Sequence, residues 1–167
     1  MKLKIVLAAF SMLAVLGCGS NNGIFTLSSG TYALSNTSAV APDNCNLASS
    51  FPDGTAIQIA VTATSASFAF GTVDPTHNPV TTIQDDTINS GSKTFDFDNN
   101  TLPQGQRFDC VETITETASG SLVANDQVQG AMVYGSVMKS GTQCTAANLG
   151  YKVYPCSSTL SFIAKKR

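Results

Sequence analysis

The sequence predicts an all-β fold of about eight antiparallel strands that close into an up-and-down barrel. Charged residues make up only 12% of the chain, about half the usual share, and small polar residues suited to strands and turns replace them. Apolar and polar residues alternate in segments that turn residues separate, which is the strand period. Short links and the lack of a convincing amphipathic helix favour pairing between neighbours, and closure removes exposed edges. A β-sandwich is the alternative, but the chain has no Trp for an immunoglobulin-type core.

The first half of the chain contains four candidate strands. Tyr32 and Leu34 share a face in the first of them, and the next two alternate strictly. The short break at Thr64 and Ser65 predicts a hairpin between the second and the third. The four segments cover about 30–36, 56–63, 65–73 and the weaker 80–88.

The second half contains four more candidates. Glu112 and Glu116 of the longest one are also compatible with a helix, but Gly120 and a run of threonines favour a strand. The four segments cover about 93–100, 107–123, 127–138 and 158–166. The layout resembles small lipocalin-like barrels in architecture only, and no motif specifies that family.

The first residues have the pattern of an export signal. Lys2 and Lys4 form a basic start, and the stretch 5–17 that follows is almost wholly apolar. This stretch is shorter than the roughly 20 residues that span a bilayer. The segment is therefore predicted to be a cleaved signal peptide and is excluded from the fold.

The end of this segment resembles the lipobox of bacterial lipoproteins. It has Val15 and Leu16 as aliphatic residues, then Gly17, then Cys18. The resemblance implies cleavage between Gly17 and Cys18, and fatty acyl groups such as palmitate on Cys18. Several acyl chains hold a protein at a membrane stably without a transmembrane helix. Gly19, where the family uses Asp for inner-membrane retention, implies the outer membrane if the source has two membranes.

These features divide the chain into three parts. Residues 1–17 are the predicted lipoprotein signal peptide, and 18–29 are the lipidated cysteine with a flexible polar tether. Residues 30–167 form a single β-rich domain, within about 150 residues of mature chain that are long enough for a real core.

The four cysteines other than Cys18 predict two disulfides, because the chain is predicted to be exported. Three pairings are possible. We favour Cys144–Cys156, since the residues between them look like a hairpin loop closed at its base. Cys45–Cys110 then follows by elimination. A zinc site is disfavoured, because no CxxC motif occurs and the chain has one His.

No catalytic, metal or cofactor site can be assigned from the sequence. His77, the sole histidine, lies in a Pro-rich segment and is expected to be solvated. Asp96, Asp98 and Asn100 begin like a calcium loop, but the sixth and twelfth positions are not Gly and Glu. A solvated strand face accounts for the same spacing. The pair at 85–86 is a weaker acidic spot.

The predicted function is that of a lipid-anchored cell-envelope protein whose barrel has a structural or interaction role, without catalysis. The alternative is an anchored carrier that binds a small apolar ligand inside the barrel. Loss of Lys2 and Lys4 takes the formal charge from −2 to about −4, so nucleic acid is not an expected partner. The predicted inward aromatic residues either fill the core or line a cavity: Phe68, Phe70, Phe95, Phe97, Tyr134 and Phe162.

Overall fold

The computed structural model describes residues 23–71 and 75–167, and within them eight antiparallel strands form one closed barrel in chain order. The strands are β1 (Gly30–Val40), β2 (Ala56–Val61), β3 (Ser65–Ala69), β4 (Val80–Gln84), β5 (Thr87–Asp98), β6 (Val111–Ala124), β7 (Gln127–Ser140) and β8 (Cys156–Lys166). Pairing of β1 with β8 closes the ring. The predicted all-β antiparallel fold is confirmed, with a barrel instead of the alternative sandwich.

Helical structure among the described residues is confined to short segments. These are α1 (Leu47–Ser50), α2 (Ala146–Leu149) and two 3-10 turns, Pro75–His77 and Asn99–Thr101. Within 23–71 and 75–167, no helix is long and apolar enough to cross a membrane. The predicted signal peptide, Gly17 and Cys18 lie outside the described residues.

The two ends of the barrel differ. At what we call the turn end, three short connections join the strands: 62–64, 85–86 and 125–126. At the opposite end, which we call the open end, the connections include the longer loops 41–55, 99–110 and 141–155. Asp85 and Asp126 each have a φ of 53° in the two-residue turns, a conformation that Asp and Asn tolerate better than most residues.

The predicted strand 80–88 is wrong. Ile83 pairs with Ile88 and Gln84 with Thr87, so β4 ends before a tight turn and β5 begins after it. The acidic pair 85–86 forms this turn. The predicted hairpin at 56–73 is confirmed, because β2 and β3 pair from Val61↔Ala66 onward.

Large apolar side chains fill the barrel toward the turn end. Tyr32, Phe68 and Leu160 are almost fully buried there, as the period-two pattern predicts. Gly130 makes room for the ring of Phe162, since a Cβ atom on Gly130 would lie 2.9 Å from that ring. Other buried members of this core include Leu34, Ile57, Ile59, Ile88, Leu122, Val128, Met132 and Ala164.

Both predicted disulfide pairings are wrong: the bridges are Cys45–Cys156 and Cys110–Cys144, with Cα atoms 5.3 and 5.0 Å apart. Val111 pairs with Ser140 at the end of the β6–β7 hairpin, so Cys110 and Cys144 leave the hairpin side by side. The loop 41–55 folds over the start of β8, where the Cys45 backbone N–H donates to Ser158 Oγ at 2.8 Å. Strand register, and not closeness in sequence, therefore selects the partners.

The predicted flexible tether is fixed to the barrel in the part that the structure describes. The backbone N–H groups of Ile24 and Phe25 donate to the Asp86 carboxylate at 3.1 and 3.0 Å. The Ser28 N–H donates to Asp126 at 2.7 Å, and Leu27 is buried. Residues 23–29 therefore run across the turn end.

Candidate functional site

A cavity of about 790 Å³ lies at the open end of the barrel. Its inner wall consists of inward side chains of β5, β6 and β7, among them Phe95, Phe97, Glu112, Glu116 and Tyr134. Its rim comes from the loops at 102–108 and 143–151, and α2 contributes Leu149. The barrel interior is thus filled toward the turn end, and the cavity lies at the open end on the side of β5, β6 and β7.

Unequal strand lengths create this cavity. Strands β2, β3 and β4 have six, five and five residues, whereas β5, β6 and β7 have 12, 14 and 14. The halves of the long strands nearer the open end therefore extend beyond the short strands on the other side of the barrel. Their inward side chains face the rim loops across open space instead of a packed sheet.

Glu112 is the centre of a buried hydrogen-bond network in the cavity floor. Glu112 is only 2% exposed. Asn99 Nδ2 donates to its Oε1 at 3.0 Å, and the Tyr151 hydroxyl donates to its Oε2 at 3.1 Å. Ser136 Oγ also donates to Oε2. Three neutral donors from β7 and two loops thus satisfy both oxygens, as burial of a carboxylate requires.

A second hydrogen bond extends this network from Tyr151 to Tyr134. Their hydroxyl oxygens are 2.8 Å apart. Because Tyr151 gives its proton to Glu112, it accepts the proton of Tyr134. Burial raises the pKa of Tyr151 to about 12. Burial, Tyr151 and the nearby carboxylates also raise the pKa of Tyr134, so both phenols stay protonated at physiological pH.

Glu116 lies four residues after Glu112 on the same face of β6, deeper in the barrel, and lacks such partners. It is 6% exposed, and its Oε2 atom is buried with no hydrogen-bond partner. Its register neighbours are Tyr134 on β7 and Lys93 on β5. Burial raises the pKa of the Glu116 carboxyl from 4.5 to about 7. An unsatisfied buried carboxyl group aimed into a cavity is typical of a binding or catalytic site.

The residues weighed from the sequence lie outside this floor. Asp96 is on the outer face, where it accepts from Lys139 Nζ at 2.6 Å, and Asp98 caps the following 3-10 turn through the N–H of Asn100. His77 stacks on Phe95, with ring centroids 4.1 Å apart. Within 23–71 and 75–167, no group of three or more His, Cys, Asp or Glu side chains is placed to hold a metal ion.

The predicted inward aromatic residues divide into two groups. Phe68, Phe70 and Phe162 are buried in the core, whereas Phe95, Phe97 and Tyr134 line the cavity. The carboxylates of the site were missed. Their signal was present in the sequence, since Glu112 and Glu116 alternate in phase with Ile114 and Ala118 and so had to share the buried face of a strand.

Comparisons of the chain with protein-family models, with curated proteins and with solved structures gave no match. The function is therefore argued from the geometry of the cavity. The arrangement combines apolar walls, a floor rich in hydrogen-bond acceptors and an opening to solvent. Ligand sites in proteins are typically concave and mostly apolar with a few converging polar groups, and this cavity has those features.

Proposed function

We propose that this protein is a lipid-anchored envelope protein that binds a small amphiphilic molecule in the open end of its barrel. The observation that supports the proposal is the cavity of about 790 Å³ with Glu112 and Glu116 in its floor. Ligand sites in proteins are typically concave, roughly 300–1,000 Å³ in volume and mostly apolar, with a few converging polar groups. The carrier hypothesis is thereby favoured over a purely structural role, with a ligand that is polar at one end.

The tether supports an orientation for this carrier. Residues 23–29 bind the turn end, and the cavity opens at the opposite end. Cys18 lies five positions before Gly23, a reach of roughly 17 Å when fully extended. If Cys18 is lipidated as its resemblance implies, the barrel stands close to the membrane with its mouth directed away. The ligand then enters from the aqueous compartment.

Filling the mouth of the cavity should abolish binding of an apolar probe. Leu149 lines the cavity and is half-buried, so Leu149→Trp places a large ring in the opening. We expect the uncharged dye N-phenyl-1-naphthylamine to bind the native protein, and Leu149→Trp to weaken binding by roughly tenfold or more, about 1.4 kcal/mol. Fluorescence titration measures the affinity, and amide chemical shifts locate the dye.

Val153→Trp is the matched control. Val153 belongs to the same loop, is 50% exposed and does not line the cavity. We expect this variant to bind the dye as the native protein does. Lack of dye binding to the native protein, or an equal loss in both variants, would contradict a ligand-binding cavity.

Lipid anchoring is tested separately at Cys18. We expect Cys18→Ser to move the protein from the membrane fraction to the soluble fraction of the envelope, because Ser cannot form the thioether. Mass spectrometry of the native protein should find an acylated Cys18 as the first residue. A variant that stays with the membranes as the native protein does would overturn the anchor.

A protein-interaction role is the second candidate. Val133 and Val137 lie on the outer face of β7 and are 40% and 50% exposed. Exposed apolar side chains on one face are compatible with a docking surface, although scattered ones are normal. This role predicts that Leu149→Trp leaves the function in cells intact, whereas the carrier role predicts its loss.

A further inference from the structure

We propose that the ligand is an organic cation, with an ammonium group bound by Glu116 and Tyr134 and an apolar body against Phe95 and Phe97. This inference rests on the proposed ligand-binding function. It follows from which hydrogen-bonding positions in the cavity floor are already used and which are left for a ligand.

Every donor of the network described above is already committed. Tyr134 gives its proton to Tyr151, and Tyr151 gives its proton to Glu112. The Ser136 hydroxyl also donates to Glu112. Acceptor capacity is left over, on the Tyr134 oxygen and on Oε2 of Glu116. A ligand that satisfies this floor therefore brings donors, and an ammonium group brings up to three.

The charges of the floor favour the same ligand class. Glu112 and Glu116 both face the cavity from β6, and both carboxylates contribute to the raised pKa of Tyr134. A carboxylate or phosphate ligand placed there would meet like charges at low dielectric, which is strongly unfavourable. A cation is attracted and forms charge-assisted hydrogen bonds.

Two basic side chains are near the cavity, one beside Glu116 in the strand register and one in a rim loop. Lys93 is exposed and stands opposite Glu116 in the register of β5 and β6, but Oε2 of Glu116 has no hydrogen-bond partner. Arg107 is exposed, and its Nε donates to the Leu102 carbonyl. Both side chains are exposed, and the buried charged residues of the cavity floor are Glu112 and Glu116.

The walls suit the rest of such a molecule. Phe95 and Phe97 are half-buried on the inward face of β5, and they are register neighbours of Ile114 and Glu112 on β6. His77 stacks on Phe95 at an interplanar angle of 2° and so supports the orientation of that ring. Aromatic faces bury apolar surface and also attract cations.

Three ligands of one shape and different charge test the inference: 4-phenylbutylamine, 4-phenylbutanol and 4-phenylbutyrate. Calorimetry at pH 8 is suitable because the pKa of Glu116 is about 7. For the native protein, we expect the amine to bind at least tenfold more tightly than the alcohol, and the carboxylate to bind most weakly. Glu116→Gln, which keeps the shape, should reduce the preference for the amine over the alcohol to threefold or less.

Asp85→Asn removes the same charge at the turn end of the barrel and is the matched control. Asn tolerates the φ of 53° at this position, and we expect the full preference for the amine. A preference that persists in Glu116→Gln, or that falls equally in Asp85→Asn, would overturn the assignment to Glu116. A preference that appears only in Lys93→Met would show that Lys93 neutralises Glu116 and would likewise overturn it.

The outcomes separate this inference from the proposed function. Equal binding of the three compounds, or tightest binding of the alcohol or carboxylate, overturns the cation while leaving the carrier intact, provided that Leu149→Trp blocks the binding. If none of the three binds and N-phenyl-1-naphthylamine does not bind either, both the inference and the carrier function fail.

Discussion

Removing the Cys45–Cys156 bridge should destabilise the protein more than any other change considered for this chain. The bridge spans 111 residues in sequence, and the chain-entropy model assigns a loop of that size about 4–5 kcal/mol. We therefore expect Cys45→Ala with Cys156→Ala to lower the free energy of unfolding by about that amount. Guanidinium titration followed by far-ultraviolet circular dichroism measures the change.

The second bridge is the internal control. Cys110–Cys144 spans 34 residues, so its removal should cost about 1 kcal/mol less in the same model. Non-reducing peptide mapping should find the two pairs seen in the structure. A peptide that links Cys45 to Cys110, or Cys144 to Cys156, would contradict the register at the open end, as would a larger loss for the shorter bridge.

The strands could be predicted because their signal is local. Alternation in segments such as 56–61 and 127–134 is visible within a few residues, and it determines which side chains share a face. The weak point was the stretch from Val80 to Ile88. There the strands on both sides of the turn at 85–86 are rich in polar residues, so the turn residues do not stand out from β4 and the start of β5.

The disulfide pairing could not be predicted because it depends on contacts between distant parts of the chain. Cys144 and Cys156 are close in sequence, but 141–155 forms a loop that crosses the open end. Cys156 then begins β8 opposite Ser136 of β7. Only the closed ring, with 41–55 folded onto β8, brings Cys45 beside it.

The sequence left open whether the barrel is filled or holds a cavity, for a related reason. Its existence depends on the difference between the short strands β2–β4 and the long strands β5–β7, and sequence alternation does not fix strand ends well. Glu112 and Glu116 were placed on a strand, but alternation alone does not indicate that a carboxylate is buried, since Glu is almost never fully buried unless it is paired. Glu112 is buried with three donors that satisfy its carboxylate, whereas Glu116 faces the cavity.

The second large effect is expected at Glu116 and depends on pH. Burial raises the pKa of this carboxyl from 4.5 to about 7 in the folded protein. Between these two pH values the folded protein holds a proton that the unfolded chain has released, so stability falls as the pH rises through this window. The full difference corresponds to about 3 kcal/mol once the pH exceeds 7. Glu116→Gln, which does not titrate, should escape this loss.

We therefore expect Glu116→Gln to unfold at the same denaturant concentration as the native protein near pH 4 and to be more stable at pH 8, by about 2–3 kcal/mol. Asp109→Asn makes the same chemical change at a carboxylate whose pKa is lowered, because Thr142 donates to it through its hydroxyl and its N–H. This control should deviate in the opposite sense, losing stability relative to the native protein above about pH 4. Parallel pH profiles for the native protein and Glu116→Gln would show that water or Lys93 satisfies Glu116, and would remove the unsatisfied acceptor on which the cation site depends.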